Sequence, residues 1–193
     1  MIRRDCEVVL AVCALLLLVP LWGIIGLAIV MESGRPVLYG GRRVGKGGAQ
    51  FRMWKFRSMH TDARGLLTEE QQRVFDRDFK LDPDPRVTRV GRWLRAVSLD
   101  ELPQLLNIVR GEMAFVGPRP KLPDEVHLYG GAREELLSVL PGITGYWQVF
   151  RSSSRSDSTM RAMDLYYVRH RSLWLDASLI LRTIGIIVGR SNS

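Results

Sequence analysis

The chain has 193 residues, with 28 Lys and Arg against 20 Asp and Glu for a formal charge of +8, and it is 46% hydrophobic and 8% aromatic. That length describes one domain with an appended segment, and the balance excludes a disordered acidic tail, a collagen-like fibre and a purely polar linker. Cys6 and Cys13 both lie in the apolar N-terminal stretch, which excludes a disulfide framework, and neither a redox nor a zinc motif is present.

The first element is a run of 24 residues without a charge, from Val8 to Met31. Wholly helical, it would extend about 36 Å, enough for a hydrocarbon core of about 30 Å. A cleaved signal peptide fits poorly, because the run is long and no small-x-small cleavage site follows it. Pro20 sits near the midpoint, where its missing N–H and its ring break or kink a helix into two arms too short to span. Arg3 and Arg4 precede the run, and Arg35, Arg42, Arg43 and Lys46 follow it. The positive-inside tendency then favours both ends on the cytoplasmic side, as in a re-entrant hairpin. A Pro-kinked spanning helix is the alternative, since membrane helices tolerate proline.

Residues 33 to 56 read as two short strands around the turn Gly45 to Gly48, a β-hairpin. Lys46 in that turn does not make a phosphate loop, because the pattern GxxxxGK[ST] is absent. Arg52, Lys55 and Arg57 interleave with Phe51, Trp54 and Phe56, the pattern of a solvated strand face. Residues 61 to 80 are amphipathic and predict a helix, and Leu81 to Gly91 predicts a Pro-punctuated loop.

The next stretch carries the chemistry. Leu99, Leu102, Leu105, Leu106 and Val109 recur at helical spacing, Ser98 is a natural N-cap and Gly111 follows the last periodic position, so a helix is predicted from Ser98. Asp100 and Glu101 then fall in its first turn, where exposed amides favour a carboxylate or hold a phosphate. Three roles stay open for them. An ionised carboxylate beside a phosphate is a potential nucleophile; the two together can share a hard divalent cation; and Ser98-x-x-Glu101 reads as a capping box, which would reduce Glu101 to a structural role.

Met113 to Pro123 holds three prolines around Arg119 and Lys121, predicting a stiff loop that presents both cations, with Arg119 suited to bidentate phosphate contact; a plain surface Pro-rich linker is the alternative. Pro141 to Val149 couples a Pro-Gly turn to a strand-like run, and Arg151 to Ser158 reads as a polar loop. Ser172 to Gly189 is apolar around Asp176 and Arg182, with Trp174 beside Arg169 and Arg171. Two interior charges argue against a spanning helix; an interfacial helix and a buried core helix are the readings left.

Taken in order, Lys55-Phe56-Arg57-Ser58-Met59, Leu99-Asp100-Glu101-Leu102-Pro103-Gln104, Val116-Gly117-Pro118-Arg119-Pro120 and Pro141-Gly142-Ile143-Thr144-Gly145 resemble the motifs of the bacterial sugar transferases, the monotopic phosphoglycosyl transferases. The resemblance extends through Asp164-Leu165-Tyr166-Tyr167-Val168 and Ser172-Leu173-Trp174-Leu175-Asp176. The resemblance is to the small members of the family, in which a multi-span module ahead of the catalytic part is not expected. Three positions depart from the family pattern: Val19-Pro20 stands for Ser-Pro, Glu7 for an aspartate, and Gly41 for a glutamine.

The resemblance implies transfer of a sugar 1-phosphate from a UDP-sugar to a polyprenyl (undecaprenyl) phosphate, giving polyprenyl diphosphosugar and UMP as the first membrane step of surface glycan assembly. Asp100 would be the nucleophile of a covalent intermediate and Glu101 would assist. Lys55, Arg57 and Arg119 would bind phosphates, and Mg²⁺ held by Asp100 and Glu101 would neutralise the diphosphate. The fold expected is α+β and mainly helical, with a re-entrant membrane helix broken at Pro20 over residues 1–34. A membrane-associated catalytic domain would cover 35–193, on the cytoplasmic face of a bacterial inner membrane, with a small β-hairpin and amphipathic interfacial helices. Partners are the UDP-sugar, the polyprenyl phosphate and the lipid bilayer; the pattern is compatible with a homodimer and points to no nucleic acid. A membrane-tethered nucleic-acid binder would need a reading module or stacking platform, and none is recognisable. A catalytically inactive scaffold for glycan-assembly enzymes is the remaining alternative, in which Asp100→Asn would leave pathway output unchanged.

Overall fold

The computed structural model describes residues 4–63, 65–78, 81, 83–150 and 157–191. Arg3 and most of the predicted Arg151 to Ser158 loop lie outside the described residues.

The apolar run folds as two helices, α1 (Arg4–Leu17) and α2 (Val19–Ser33), bent by 61° at Leu18. The bend lies where the sequence places it: Pro20 stands in the first turn of α2, the one helical location where its missing N–H costs nothing. Among the described residues no single helix is long and apolar enough to cross a membrane, while the bent pair passes that test together. The chain then forms the predicted hairpin, β1 (Leu38–Val44) antiparallel to β2 (Gln50–Phe56), with Tyr39 opposite Lys55 and Arg43 opposite Phe51.

The two arms of the broken helix straddle this hairpin. Ala11 of α1 packs with Phe51 and Met53 of β2 and with Leu105 and Ile108 of α5 (Gln104–Val109). Ile25 and Ile29 of α2 pack with Phe56 and with Leu94 of α4 (Arg89–Ala96), and Trp22 meets Phe56 edge-on at 5.1 Å. Polar contacts fasten both ends. Arg4 donates to the carbonyls of Ile108 and Met113, and Glu7, buried, accepts from Phe115 N at 3.1 Å. At the other end the Glu32 carboxylate accepts from Arg89 N at 2.6 Å and Val90 N at 2.9 Å, capping α4 from outside its own segment.

Three local expectations are corrected. Among the described residues of the helix expected over 61–80, the α-helix is α3 (Glu69–Asp78), which begins there because the Thr68 and Gln71 side chains each accept from the other's backbone N–H as a capping box. Within the expected loop Leu81 to Gly91, Thr88 accepts from Gly91 N and starts α4. The helix expected from Ser98 is broken: Ser98 is left-handed (φ 59°) and caps nothing, Leu99–Glu101 is a 3-10 turn, and α5 starts only after Pro103. Pro103 is the cause, since in a continuous α-helix its ring would clash with the Leu99 carbonyl four residues back.

Beyond α5 the fold adds a pairing that the sequence reading lacked. β3 (Ala114–Val116) and β4 (Gly142–Thr144) form a two-stranded parallel ladder. The glycines of the two motifs make it possible: a Cβ on Gly117 would run into the Leu140 carbonyl, and one on Gly142 into the Gly117 amide. A short 3-10 stretch (Pro123–Ala132), α6 (Arg133–Leu137), α7 (Tyr146–Phe150), α8 (Asp157–His170) and α9 (Leu173–Ser191) complete the body. α9 has a buried side, as the core-helix reading expects, and an exposed apolar side. Leu179 and Asp176 are buried, with Asp176 accepting from the Tyr167 hydroxyl at 2.7 Å, while Leu173, Trp174, Leu181, Ile184 and Val188 stay exposed.

Candidate active site

Asp100 and Glu101 come off the 3-10 turn beneath the end of β2, and Lys55 of β2 reaches both. Lys55 Nζ lies 2.5 Å from Glu101 Oε1 and 3.9 Å from Asp100 Oδ2. Glu101 therefore does not close a capping box on Ser98; the turn around Pro103 releases it to face the lysine. Asp100 is 7% exposed, whereas Glu101 is half-buried. Burial pushes the Asp100 carboxyl above the usual aspartate range and Glu101 adds to this, while Lys55, and Arg95 at longer range, pull it back down. Asp100 accepts no hydrogen bond from another described side chain, so a buried, lightly held carboxylate stands beside one cation. A carboxylate in such a setting can act, once ionised, as an acid, a base or a nucleophile.

The lysine is placed by a residue that the sequence reading passed over. Asn107, fully buried on α5, accepts from Trp54 N at 3.0 Å and donates to Arg52 O at 2.7 Å and Glu112 Oε2 at 2.6 Å. It thus ties β2, immediately before Lys55, onto the helix that follows the acidic pair. A lone amide inside the apolar run Leu105 to Val109 is the signal that could have found it.

The other predicted cations go different ways. Arg119 is exposed between buried Pro118 and Pro120, consistent with a cation presented by a stiff loop. Lys121 is not presented: it is 2% exposed, and its Nζ lies 2.7 Å from Asp164 Oδ2 on α8. Arg57 is also buried, and its Nη2 donates to Ser33 Oγ at 2.8 Å and to the Ser33 and Gly34 carbonyls at 2.9 and 2.5 Å. The structure thus uses Arg57 to finish the C-terminal end of α2 rather than bringing it to Asp100. Its Nε and Nη1 are buried without a protein partner.

For a metal, the described residues hold no group of three or more His, Cys, Asp or Glu. The carboxylates that could contribute to a metal site here are those of Asp100 and Glu101. Two carboxylates suit Mg²⁺ where substrate phosphates supply further oxygens, and do not make an all-protein cage.

The sequence pattern of the family described as bacterial sugar transferase matches residues 1–190. The chain is 39% identical over 198 residues to the UDP-galactose-lipid carrier transferase of Erwinia amylovora, a match covering 100% of this chain and 41% of that protein. It is 41% identical over 191 residues to the exopolysaccharide production protein ExoY of Sinorhizobium fredii, covering 94% of this chain and 83% of the relative. A third relative, the UDP-glucose:undecaprenyl-phosphate glucose-1-phosphate transferase of Caulobacter vibrioides, is 39% identical over 199 residues, with 99% and 71% covered. The chain therefore spans less than half of the Erwinia protein and most of the other two. Residues 1–190 include the Lys55, Asp100, Glu101 and Arg119 segments just described, and the chain belongs to the bacterial sugar transferase family.

Proposed function

We propose that the chain transfers a sugar 1-phosphate from a UDP-sugar to a polyprenyl phosphate, by way of a covalent phosphosugar on Asp100. The observation that carries this reading is the buried Asp100 carboxylate beside Lys55 and Glu101. The names of relatives support the substrates, since they specify UDP-galactose, UDP-glucose and undecaprenyl phosphate.

In the first half-reaction an Asp100 oxygen attacks the sugar-proximal phosphorus. The bond from that phosphorus to the bridging oxygen breaks, and UMP leaves with the electron pair. In the second, a phosphate oxygen of the lipid acceptor attacks the same phosphorus and the Asp100 carboxylate is released. Lys55 orients Asp100 and offsets charge around phosphorus, and Arg119 supplies a second cation from its stiff loop. Asp100 and Glu101 would hold Mg²⁺, which when bound offsets the charge of the diphosphate. Incubating the protein with UDP-sugars and magnesium, without acceptor, should give an intact mass raised by one sugar phosphate. Normal turnover with no adduct, under conditions that resolve one, would overturn the covalent route.

A polyprenyl tail stays in lipid, so the enzyme must meet it there. We read the α1–α2 pair as re-entrant. Arg4 and Glu7 at one end and Glu32 and Ser33 at the other are hydrogen-bonded to one polar body, through Ile108, Met113 and Phe115 and through Arg57, Arg89 and Val90. A spanning segment would hold those ends across about 30 Å of hydrocarbon. The exposed apolar side of α9 and the +8 net charge favour the same anionic membrane surface, the cytoplasmic leaflet of a bacterial inner membrane. In a Cys13→Ser background, a membrane-impermeant maleimide should label native Cys6 and, in a separate Cys6→Ser protein, Lys46→Cys from the same side of sealed vesicles. Labelling from opposite sides would establish a span instead.

A further inference from the structure

The hairpin face that carries Lys55 continues into a cationic patch that the proposed chemistry has not used. Tyr39 stands opposite Lys55 in the ladder, and Gly41 and Arg43 follow on the same face at two-residue steps. Gly41 has no side chain, and its neighbours fold over it. A Cβ built there would lie 3.5 Å from a Tyr39 ring carbon, 3.8 Å from the Tyr39 hydroxyl and 4.0 Å from Arg43 Nη1. The Arg43 head therefore sits about 7 Å along the strand from the Tyr39–Lys55 rung.

Arg43 is half-buried, and among the described residues no carboxylate lies within ion-pair distance of it. Its one hydrogen bond there runs from Nη1 to the Arg42 carbonyl at 3.0 Å. Burial, and then the charge of Arg119, weaken its hold on its proton, partly offset by Glu125 and Tyr39. The Glu125 carboxylate is itself engaged by Leu122 N at 2.8 Å. Two guanidiniums in mutual repulsion, one of them partly desolvated, are stabilised by an anion placed between them, and phosphate matches the guanidinium fork.

We propose that Arg43, together with Arg119, holds the phosphate of the departing nucleotide while Lys55 and Asp100 act on the sugar-proximal phosphorus. The assignment rests on the UDP-sugar reading above. When the bridging P–O bond breaks, its electron pair stays on the UMP oxygen, so negative charge grows on the phosphate that these guanidiniums face. Tyr39 is 62% exposed beside Arg43 and offers a ring on which a pyrimidine can stack.

The test measures three quantities in the full chain: the inhibition constant of UMP, the KM of the UDP-sugar, and the KM of the polyprenyl phosphate. Arg43→Met should raise the first two roughly tenfold to a hundredfold, the loss of a charge-assisted hydrogen bond, and leave the third within about twofold. Arg43→Lys should recover part of the loss, and Tyr39→Ala should weaken UMP binding without moving the acceptor. If Arg43→Met is unfolded by circular dichroism, the Arg43→Lys and Tyr39→Ala proteins decide by the same constants. Unchanged UMP inhibition overturns the subsite; a rise confined to the acceptor KM reassigns the cations to the lipid phosphate and overturns it too. Wild-type protein that releases no UMP from any UDP-sugar overturns the parent reading, an outcome distinct from an active wild type with an indifferent Arg43 variant.

Discussion

Asp100→Asn should lower UMP release by at least about 10³-fold while leaving the protein folded, since it removes the atom proposed to bond phosphorus and preserves the shape of the side chain. The same residue sets the expected pH dependence. Desolvation raises the Asp100 carboxyl, and Lys55 opposes that rise. The nucleophile is the ionised form, so the acid limb of kcat/KM should fall at a higher pH than that of a free aspartate, near 3.9. Lys55→Met should move that limb higher still. For stability the sign is opposite to that of a typical ion-paired aspartate. A carboxyl that holds its proton more tightly in the folded state than in the unfolded one favours folding as pH falls through that interval, and at neutral pH its charge is a cost. Asp100→Asn should therefore melt no lower than wild type. A variant that keeps more than a tenth of the turnover, measured by UMP release, removes Asp100 from the role of nucleophile.

The largest expected loss of stability lies elsewhere. Lys121 and Asp164, 2% and 1% exposed, pair at 2.7 Å, and Asp164 Oδ2 also accepts from the Tyr129 hydroxyl at 2.8 Å. The pair lacks good hydrogen-bond alignment, and Asp164 Oδ1 has no protein partner, so much of its desolvation cost is unrelieved. Burial, then Asp164, raise the Tyr129 hydroxyl well above the usual tyrosine range and keep it a donor. Lys121→Met would strand a buried carboxylate and should cost about 3–5 kcal/mol, a fall in Tm of roughly 10 °C for a chain of this size. Lys121→Met with Asp164→Leu removes both charges and should recover most of that loss. Thermal melts of the singles and the double close the cycle; a Lys121→Met loss below about 1 kcal/mol would mean that the pair does not bear on stability. Lys121 also accepts from Val44 N through its carbonyl at 2.9 Å. Weakening it should thus loosen the loop that presents Arg119.

Local signals and distant pairings divide cleanly across this molecule. Periodicity, turn residues and one proline are properties of neighbouring residues. They sufficed for the uncharged run and its break near Pro20, the hairpin over Gly45 to Gly48, the amphipathic C-terminal helix, and the order of motifs that led to Asp100, Glu101 and the family. Which cation meets which anion depends on segments far apart in the chain. Lys55, Arg57, Arg119 and Lys121 look equivalent as basic residues within motifs, yet one reaches the acidic pair, one finishes a helix, one is exposed and one is buried against Asp164. Glu101 illustrates the same limit at short range: Ser98-x-x-Glu101 is a sound capping pattern, and Pro103 together with Lys55 drew the carboxylate elsewhere. The order of motifs along the chain was enough to name the family and to single out Asp100 and Glu101 as candidates. Only packing could assign the roles of the cations, because a charge is committed by whatever lies within a few ångströms of it in space, and that neighbour is set by long-range closure of the fold.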